Sequence, residues 1–314
     1  PGGYPSEYNF ASKKNYKYWE KLQHICKPDL IQLSGTEFTH GYLALQVMKN
    51  IPSVIYMQGF LESISRYYVA SLSRKELWHS ITIRDIIKFD WIKQQQRNFL
   101  RRSHVEKAMI RISKNVIVQN LWCETHIKAI EPGCVIHRCP LNIRSEFFNN
   151  KWSKDKMIPF TIMSNAAGYP IKGLHILIKS LGLVVQKFPQ VKLKIPGEKD
   201  PFTKDWRFYC KQNGYTRYIK SLIIKYGLKN NVIFLNRLSS EQMAIEMSIA
   251  NVFVVPSSIE NHSSSLIEAM IVGTPCIASY VGGIPEYMKH GETGLLYRFE
   301  EYEMLAEYII ILLS

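Results

Sequence analysis

Residues Val252–Gly294 read VFVVPSSIENHSSSLIEAMIVGTPCIASYVGGIPEYMKHGETG. Val252–Val255 is a short apolar run of the kind that forms a strand buried on both faces, and Pro256 ends it. His262-Ser263-Ser264-Ser265 opens a segment with helical spacing that Gly273 closes, and Pro275–Tyr280 is a second apolar run. Strand, helix and strand within about 30 residues make one βαβ unit of a parallel sheet. Ligands of such sheets bind at the carboxyl ends of the strands, and Glu260 falls in the loop there. The free N–H groups at the start of this helix and the positive end of its dipole suit a phosphate. Glu268, about one turn further on, would repel a phosphate but can accept two hydrogen bonds from a ribose diol. Glu260 and Glu268 thus flank an anion site. On spacing alone they also fit a loop surface charge and a charge near a helix N-terminus.

The same alternation runs outward from this stretch. Upstream lie strand Phe160–Ser164, helix Leu174–Phe188, strand Val191–Pro196, a helix over about Tyr215–Gly227, strand Asn231–Leu235 and helix Ser239–Ile249; a last helix starts near Glu300. Residues Pro140–Pro159, polar and rich in Asn and Lys, read as a linker. Before them come helix Lys13–Lys27, strand Asp29–Gly35, helix Gly41–Asn50 and strand Ser53–Gln58. A long basic helical stretch, Ser73–Lys114, leads to strand Asn115–Gln119 and to helix Leu121–Ile130 behind an Asn120 cap. Apolar strands separated by helices predict an α/β chain with parallel sheets covered on both faces. The 314 residues suit two Rossmann-like domains, divided as 1–145 and 146–314. The first block offers about three strands against five or six in the second, so it is expected to be N-terminally truncated. The chain opens Pro1-Gly2-Gly3-Tyr4-Pro5, without Met, basic n-region or apolar h-region.

Composition narrows the classes. With 46% hydrophobic and 21% charged residues, disorder, collagen and disulfide miniproteins are excluded. The longest apolar run, Ile309–Leu313, is far short of the ~20 residues of a membrane span. A net charge of +14 favours polyanionic partners such as nucleic acid, anionic lipid or phosphorylated small molecules. Six scattered cysteines form no C-x-x-C pair and complete no zinc site, so idle cytosolic thiols are expected.

Several short motifs fall in order along the second block: Pro256-Ser257, Glu260 to Glu268, Ala269-Met270, Gly273-Thr274-Pro275, Gly282-Gly283-Ile284-Pro285-Glu286 and Gly291-Glu292-Thr293-Gly294-Leu295-Leu296. Together they resemble the C-terminal signature of the GT-B glycosyltransferases, specifically the large retaining family 4. The resemblance covers the second domain well and the first loosely. It implies two Rossmann-like domains whose parallel sheets face across a cleft. The first would bind a glycan or lipid-linked acceptor, and the second a UDP- or GDP-type nucleotide-sugar donor. It implies no cofactor and no metal. By resemblance Glu268 binds the ribose and Glu260 contacts the donor sugar near the reacting centre. Ser264, Ser265 and Leu266 hold the diphosphate, Leu238 sits where backbone holds the nucleobase, and Arg237 is a further cation there. Lys172, in Tyr169-Pro170-Ile171-Lys172-Gly173-Leu174, matches the phosphate-clamping lysine.

Two positions depart from the pattern. Ala167 stands in the place of the clamping arginine, and alanine does not replace a bidentate cation; Asn165 or Tyr169 could compensate. Gln58 replaces a histidine that faces the donor sugar, and an amide hydrogen-bonds but does not transfer a proton at neutral pH. Glu37 and His40, after the first strand, could line the same cleft. Glu198-Lys199-Asp200 is the nearest approach to an Asp-x-Asp metal motif.

Ser73–Lys114 holds eleven Lys and Arg against four acids, half of the chain's excess charge, with Trp78, Phe89, Trp91 and Phe99 interleaved. This suits peripheral docking on anionic membrane at the inner face of the cytoplasmic membrane, or an ordinary solvated helical face. No nucleic-acid-binding motif accompanies it. The resemblance points to sugar transfer in bacterial surface polysaccharide synthesis. A non-catalytic nucleotide-sugar-binding module and a nucleotide-sugar epimerase are the alternatives. A dinucleotide oxidoreductase is disfavoured, because no G-x-G-x-x-G follows a first strand. Oligomeric state is not legible.

Overall fold

The computed structural model describes residues 13–166, 168–203, 205 and 211–314. They form two compact units, one of residues 13–66 with 97–141 and one of 67–96 with 142–314.

The first unit is built on β1 (Ile31–Ser34), β2 (Ser53–Tyr56), β3 (Asn115–Val118) and β4 (Val135–Arg138). All are parallel, in the order β1-β2-β3-β4. Helices α1 (Lys13–Cys26), α2 (His40–Val47) and α3 (Leu61–Tyr67) precede the segment that includes α4 (Arg74–Ser80), α5 (Ile83–Lys88) and α6 (Ile92–Ser113); α7 (Leu121–Ile130) joins β3 to β4. The Asn120 side chain caps α7 by accepting from Cys123 N. The core gathers Ile55, Met57, Met109, Ile110, Val116 and Val118. The sheet has four strands rather than about three. β4 is an edge strand with little apolar signal, since three of Val135-Ile136-His137-Arg138 are exposed.

The stretch 73–114 is not one helix. A capping box of Ser73 with Glu76 starts α4 at the first residue of the stretch, and a second, of Thr82 with Asp85, interrupts the stretch by starting α5. Phe89, in the left-handed region at φ 50°, closes α5 before α6 begins. Residues 67–96 pack with the second unit for identifiable reasons. The Glu76 carboxylate accepts from Lys179 Nζ at 3.2 Å and from the Tyr218 hydroxyl. Burial would raise this carboxyl, but the Tyr218 and Ser73 hydrogen bonds and the Lys179 charge outweigh it and hold it at about 2. Asp85 Oδ2 accepts from Gly214 N at 2.8 Å. His175 Nε2 donates to Ala70 O at 2.8 Å, and burial pushes this imidazole down to about 4, so it stays neutral.

The second unit holds six parallel strands: β5 (Thr161–Met163), β6 (Lys192–Pro196), β7 (Val232–Leu235), β8 (Val252–Val255), β9 (Cys276–Ser279) and β10 (Leu295–Tyr297). Their order is β10-β9-β8-β5-β6-β7. Ile162 is in register with Leu193 on one side and Val252 on the other, so β5 is central. Beside α4 and α5 from residues 67–96, its described helices are α8 (Glu146–Asn149), α9 (Leu174–Lys187), α10 (Gly214–Lys225), α11 (Ser240–Ile249), α12 (Ser264–Val272) and α13 (Tyr302–Leu313). Every residue of β8 and β9 is buried, as a parallel strand covered on both faces requires.

Residues 140–159 are not a free linker. Phe147 of α8 is fully buried in the second core beside Met247, Leu266 and Ala269, and Trp152 Nε1 donates to Ala250 O at 2.7 Å. Removing a phenyl ring from water is worth about 1.5–3 kcal/mol, enough to fix a short polar segment on the unit. Cys26, Cys123, Cys134, Cys139 and Cys276 are free thiols; Cys210 lies outside the described residues.

Candidate functional site

In the second unit the chain runs from β5 outward to β6 and β7, then crosses back to β8 on the other side of β5. The strand order reverses between β5 and β8, and the loops leaving their carboxyl ends stand where parallel sheets bind their ligands. The first sheet, taken in its described strands, runs 1-2-3-4 with no such reversal.

The loop after β5 carries Asn165 and ends in the turn Pro170–Lys172; the loop after β8 carries Pro256 to Ser263. Lys172 Nζ donates to Glu260 Oε1 at 2.6 Å, and Ser257 Oγ donates to the same oxygen at 2.7 Å. Burial alone would lower the Lys172 ammonium, but the Glu260 charge and hydrogen bond outweigh it and hold it above the usual lysine value. The cation therefore stays charged in a largely buried place.

Two glycines set this loop. Gly173, at φ +69°, lies so close to it that a Cβ would stand 1.6 Å from Pro256 O. Gly282, at φ +53°, would put a Cβ 1.7 Å from Glu260 O, and Gly283 N donates to that carbonyl at 3.1 Å. The Lys-Gly and Gly-Gly pairs of the sequence are thus packing requirements around Glu260.

Helix α12 begins beside it. Its N-cap Ser263 makes no side-chain cap, so the first amides of the helix are not taken up by it. Ser264 is exposed, Ser265 half-buried and Leu266 buried. Asn165 Nδ2 donates to Ser265 Oγ at 2.5 Å, joining the two loops at the switch point. Ser263 N donates to the Tyr287 hydroxyl at 3.1 Å. His262 stacks on Tyr287, with ring centroids 5.2 Å apart, and its buried Nδ1 has no partner among the described residues. Burial holds this imidazole below its ordinary value, against the pull of Glu286.

Glu268 is buried, and Arg144 Nη2 donates to its Oε1 at 2.8 Å. Burial pushes this carboxyl up and Arg144 pulls it back. Arg144 sits in the segment that reads as a linker, and a partner 124 residues away leaves no local signal. Leu238, half-buried, and Arg237, exposed, lie in the loop after β7, at the carboxyl end of an edge strand two places from β5. Tyr169 caps the turn that carries Lys172, its carbonyl accepting from Lys172 N at 3.2 Å. Ala167 lies outside the described residues. Glu198 Oε1 accepts from Gly168 N at 2.8 Å, so it braces the loop after β5. Among the described residues no group of three or more His, Cys, Asp or Glu is placed to hold a metal ion.

Gln58, Glu37 and His40 belong to the first unit. Gln58 is exposed just past β2, and His40 starts α2 with its ring stacked on Phe38. The residue missed there is Glu106 of α6. It is fully buried, accepting from Thr36 Oγ1 at 2.5 Å and from Leu61 N at 3.0 Å, and so ties the loops after β1 and β2 together. Burial pushes its carboxyl from 4.5 up to about 7, with Glu37 adding and the Thr36 and Leu61 donors opposing. The folded chain thus holds a proton that the unfolded chain gives up at lower pH. Stability should fall by about 3 kcal/mol as pH rises from 4.5 through 7, then level off. Chemical denaturation at pH 5 and pH 8 should show this fall in the wild type and its absence in Glu106→Gln; parallel profiles would contradict it.

Residues 144–314, more than half of the chain, match the family model described as "Glycosyl transferases group 1". The chain belongs to that family. A D-inositol 3-phosphate glycosyltransferase of Corynebacterium efficiens is 26% identical over 148 residues, covering 46% of this chain and 32% of that protein. The chain spans about a third of the length of the curated relatives it matches. Among solved structures, sucrose-phosphate synthase from Thermosynechococcus elongatus superposes with a TM-score of 0.73 at 23% identity, covering 99% of this chain and 71% of that one. Anabaena Alr3699/HepE, in complex with UDP and glucose, gives 0.67 at 19% identity, covering 98% and 73%. With its two parallel α/β sheets, this group 1 chain has the GT-B fold.

Proposed function

We propose that this protein is a retaining glycosyltransferase that moves a sugar from a UDP- or GDP-type donor to a glycan or lipid-linked acceptor. The observation that carries the reading is the Lys172–Glu260 pair at the β5/β8 switch point, beside the uncapped start of α12. A sugar nucleotide needs three things there. Its diphosphate needs fixed positive charge, which Lys172 and the amides of Ser264, Ser265 and Leu266 supply without reorganising. Its ribose diol needs an acceptor, and Glu268 offers a carboxyl group that Arg144 orients. Its sugar ring needs an acidic group near the anomeric carbon, a role that suits Glu260, with one oxygen held by Lys172 and Ser257.

As the bond to the diphosphate lengthens, charge develops on the leaving oxygen, where the ammonium and the helix dipole act most strongly. Transfer on the face the nucleotide leaves would give retention. Arg237 and the Leu238 backbone, after β7, lie at the same sheet end for the nucleobase. Gln58, in the acceptor-binding unit, can hydrogen-bond a sugar hydroxyl. Family resemblance supports a setting in bacterial surface polysaccharide synthesis and a cytoplasmic location. No described helix is long and apolar enough to cross a membrane. The presence of Gln58 in place of a histidine favours a second reading, a module that binds the donor without transferring it.

The test is to incubate UDP-, GDP- and ADP-sugars with the chain, with and without glycan acceptors, and follow nucleoside diphosphate release and product configuration by NMR. An α-donor should give an α-product, and Glu260→Gln should lower turnover about a hundredfold or more. Donor binding with no release would establish the binding module. Appearance of an epimeric sugar nucleotide would establish the epimerase.

A further inference from the structure

Helices α4 and α5 carry five large apolar side chains that the fold leaves outside. Trp78 is 76% exposed, Ile83 78%, Ile86 56%, Ile87 76% and Phe89 69%. One exposed isoleucine is ordinary, but five large apolar side chains exposed within twelve residues are not. Ile83, Ile86 and Ile87, three and four residues apart, share one side of α5. The segment is firmly seated. Leu77 and Ser80 are buried, Asp85 is pinned to Gly214 N, and Glu76 is held by Tyr218 and Lys179. Its third acid, Asp90, pairs with Arg84 at 3.1 Å. Glu76 and Asp85 are therefore spent on the protein side and Asp90 is paired within the segment, while Arg74, Lys75, Lys88 and Lys93 are exposed. The outward surface combines tryptophan, phenylalanine, isoleucines and cations.

We propose that the α4–α5 surface docks the protein on the headgroup layer of an anionic lipid bilayer. Helices of six and seven residues are too short to enter the hydrocarbon core as a span. Their apolar side can sink the ~5–10 Å that interfacial segments reach. The four cations supply the complement to anionic headgroups, each adding to the binding near the surface. The same cations argue against a second copy as the occupant, because a two-fold contact would set them against one another. The expectation that all of 73–114 forms the docking face thus contracts to 74–93, and Ile83, Ile86 and Ile87 join it. The proposal does not depend on the catalytic reading.

The test is sedimentation of the full chain with vesicles of phosphatidylcholine, alone or mixed with phosphatidylglycerol. The wild type should sediment with the mixed vesicles and stay in solution with the neutral ones. Two double variants on exposed positions, Ile83→Ser/Ile87→Ser and Lys75→Glu/Lys88→Glu, should melt like the wild type. Each should weaken partitioning about tenfold or more. No sedimentation with anionic vesicles, or equal sedimentation of wild type and both variants, would overturn the proposal. So would a dimer in solution that the isoleucine variant dissociates while vesicle binding is unchanged.

Discussion

Lys172→Met should lower donor turnover about a hundred- to a thousandfold, the usual effect of removing one donor aimed at developing charge. It should also destabilise the protein. Glu260 would keep Ser257 as a partner but lose the cation 2.6 Å away, in a site where its side chain is only 11% exposed. Leaving one member of a largely buried pair alone costs about 3 kcal/mol. The two consequences separate in a double variant. Lys172→Met/Glu260→Gln removes both charges and should recover most of the lost stability while turnover stays low. Denaturation midpoints and kcat, measured on the wild type and both variants, check this. Recovery of activity together with stability would mean that Lys172 serves only to neutralise Glu260.

Gly282→Ala should be one of the most damaging small substitutions near the site. At φ +53° an alanine meets a left-handed strain of about 1–2 kcal/mol. Its methyl group would also stand 1.7 Å from Glu260 O, a backbone atom held by Gly283 N, which cannot step aside as a side-chain tip would. Overpacking of this kind adds about 1–3 kcal/mol. The sum corresponds to a fall in Tm of roughly 5–15 °C for a chain of this size. Gly291→Ala is the control, because Gly291 has φ +79° and nothing within 4 Å of its missing Cβ. It should lose only the strain term. Thermal melts of the two variants give the comparison, and equal losses would contradict the idea that Gly282 sets the Glu260 loop.

Most of the second unit is legible in sequence because its strands are covered on both faces. Val252-Phe253-Val254-Val255 is an unbroken apolar run and all four residues are buried. Asn120 announces its helix and makes the cap it predicts, while Ser239, read as the first residue of its helix, is the N-cap and forms a capping box with Gln242. Elements with little burial escape the same logic. β4 and the three-residue β10 lack an apolar run long enough to stand out. The split of 73–114 was written locally, in Thr82 with Asp85, but the helical period on either side hides it.

Lys172, Glu260, Ser265 and Glu268 are singled out in the sequence by the family resemblance of their motifs rather than by spacing alone, and the fold brings Lys172 to Glu260 and Asn165 to Ser265. Arg144 and Glu106 are not recognisable, because their partners lie 124 and 70 residues away and only the folded chain shows the pairing. His262 is a partial case. Its place before a helix is visible in sequence, but its buried nitrogen is not.

The central claim is that a nucleoside diphosphate-sugar binds at the β5 and β8 loops. Its most direct test is a thermal-shift panel of UDP, GDP, ADP, their sugar conjugates and NADH, on the wild type and Glu268→Ala. A ligand at 100 times its Kd adds about 2.7 kcal/mol, or roughly 5–10 °C here. One nucleotide family should raise the wild-type Tm by that amount and leave Glu268→Ala where it was. A cooperative melt that no nucleotide moves, or a shift from NADH alone, would contradict the assignment.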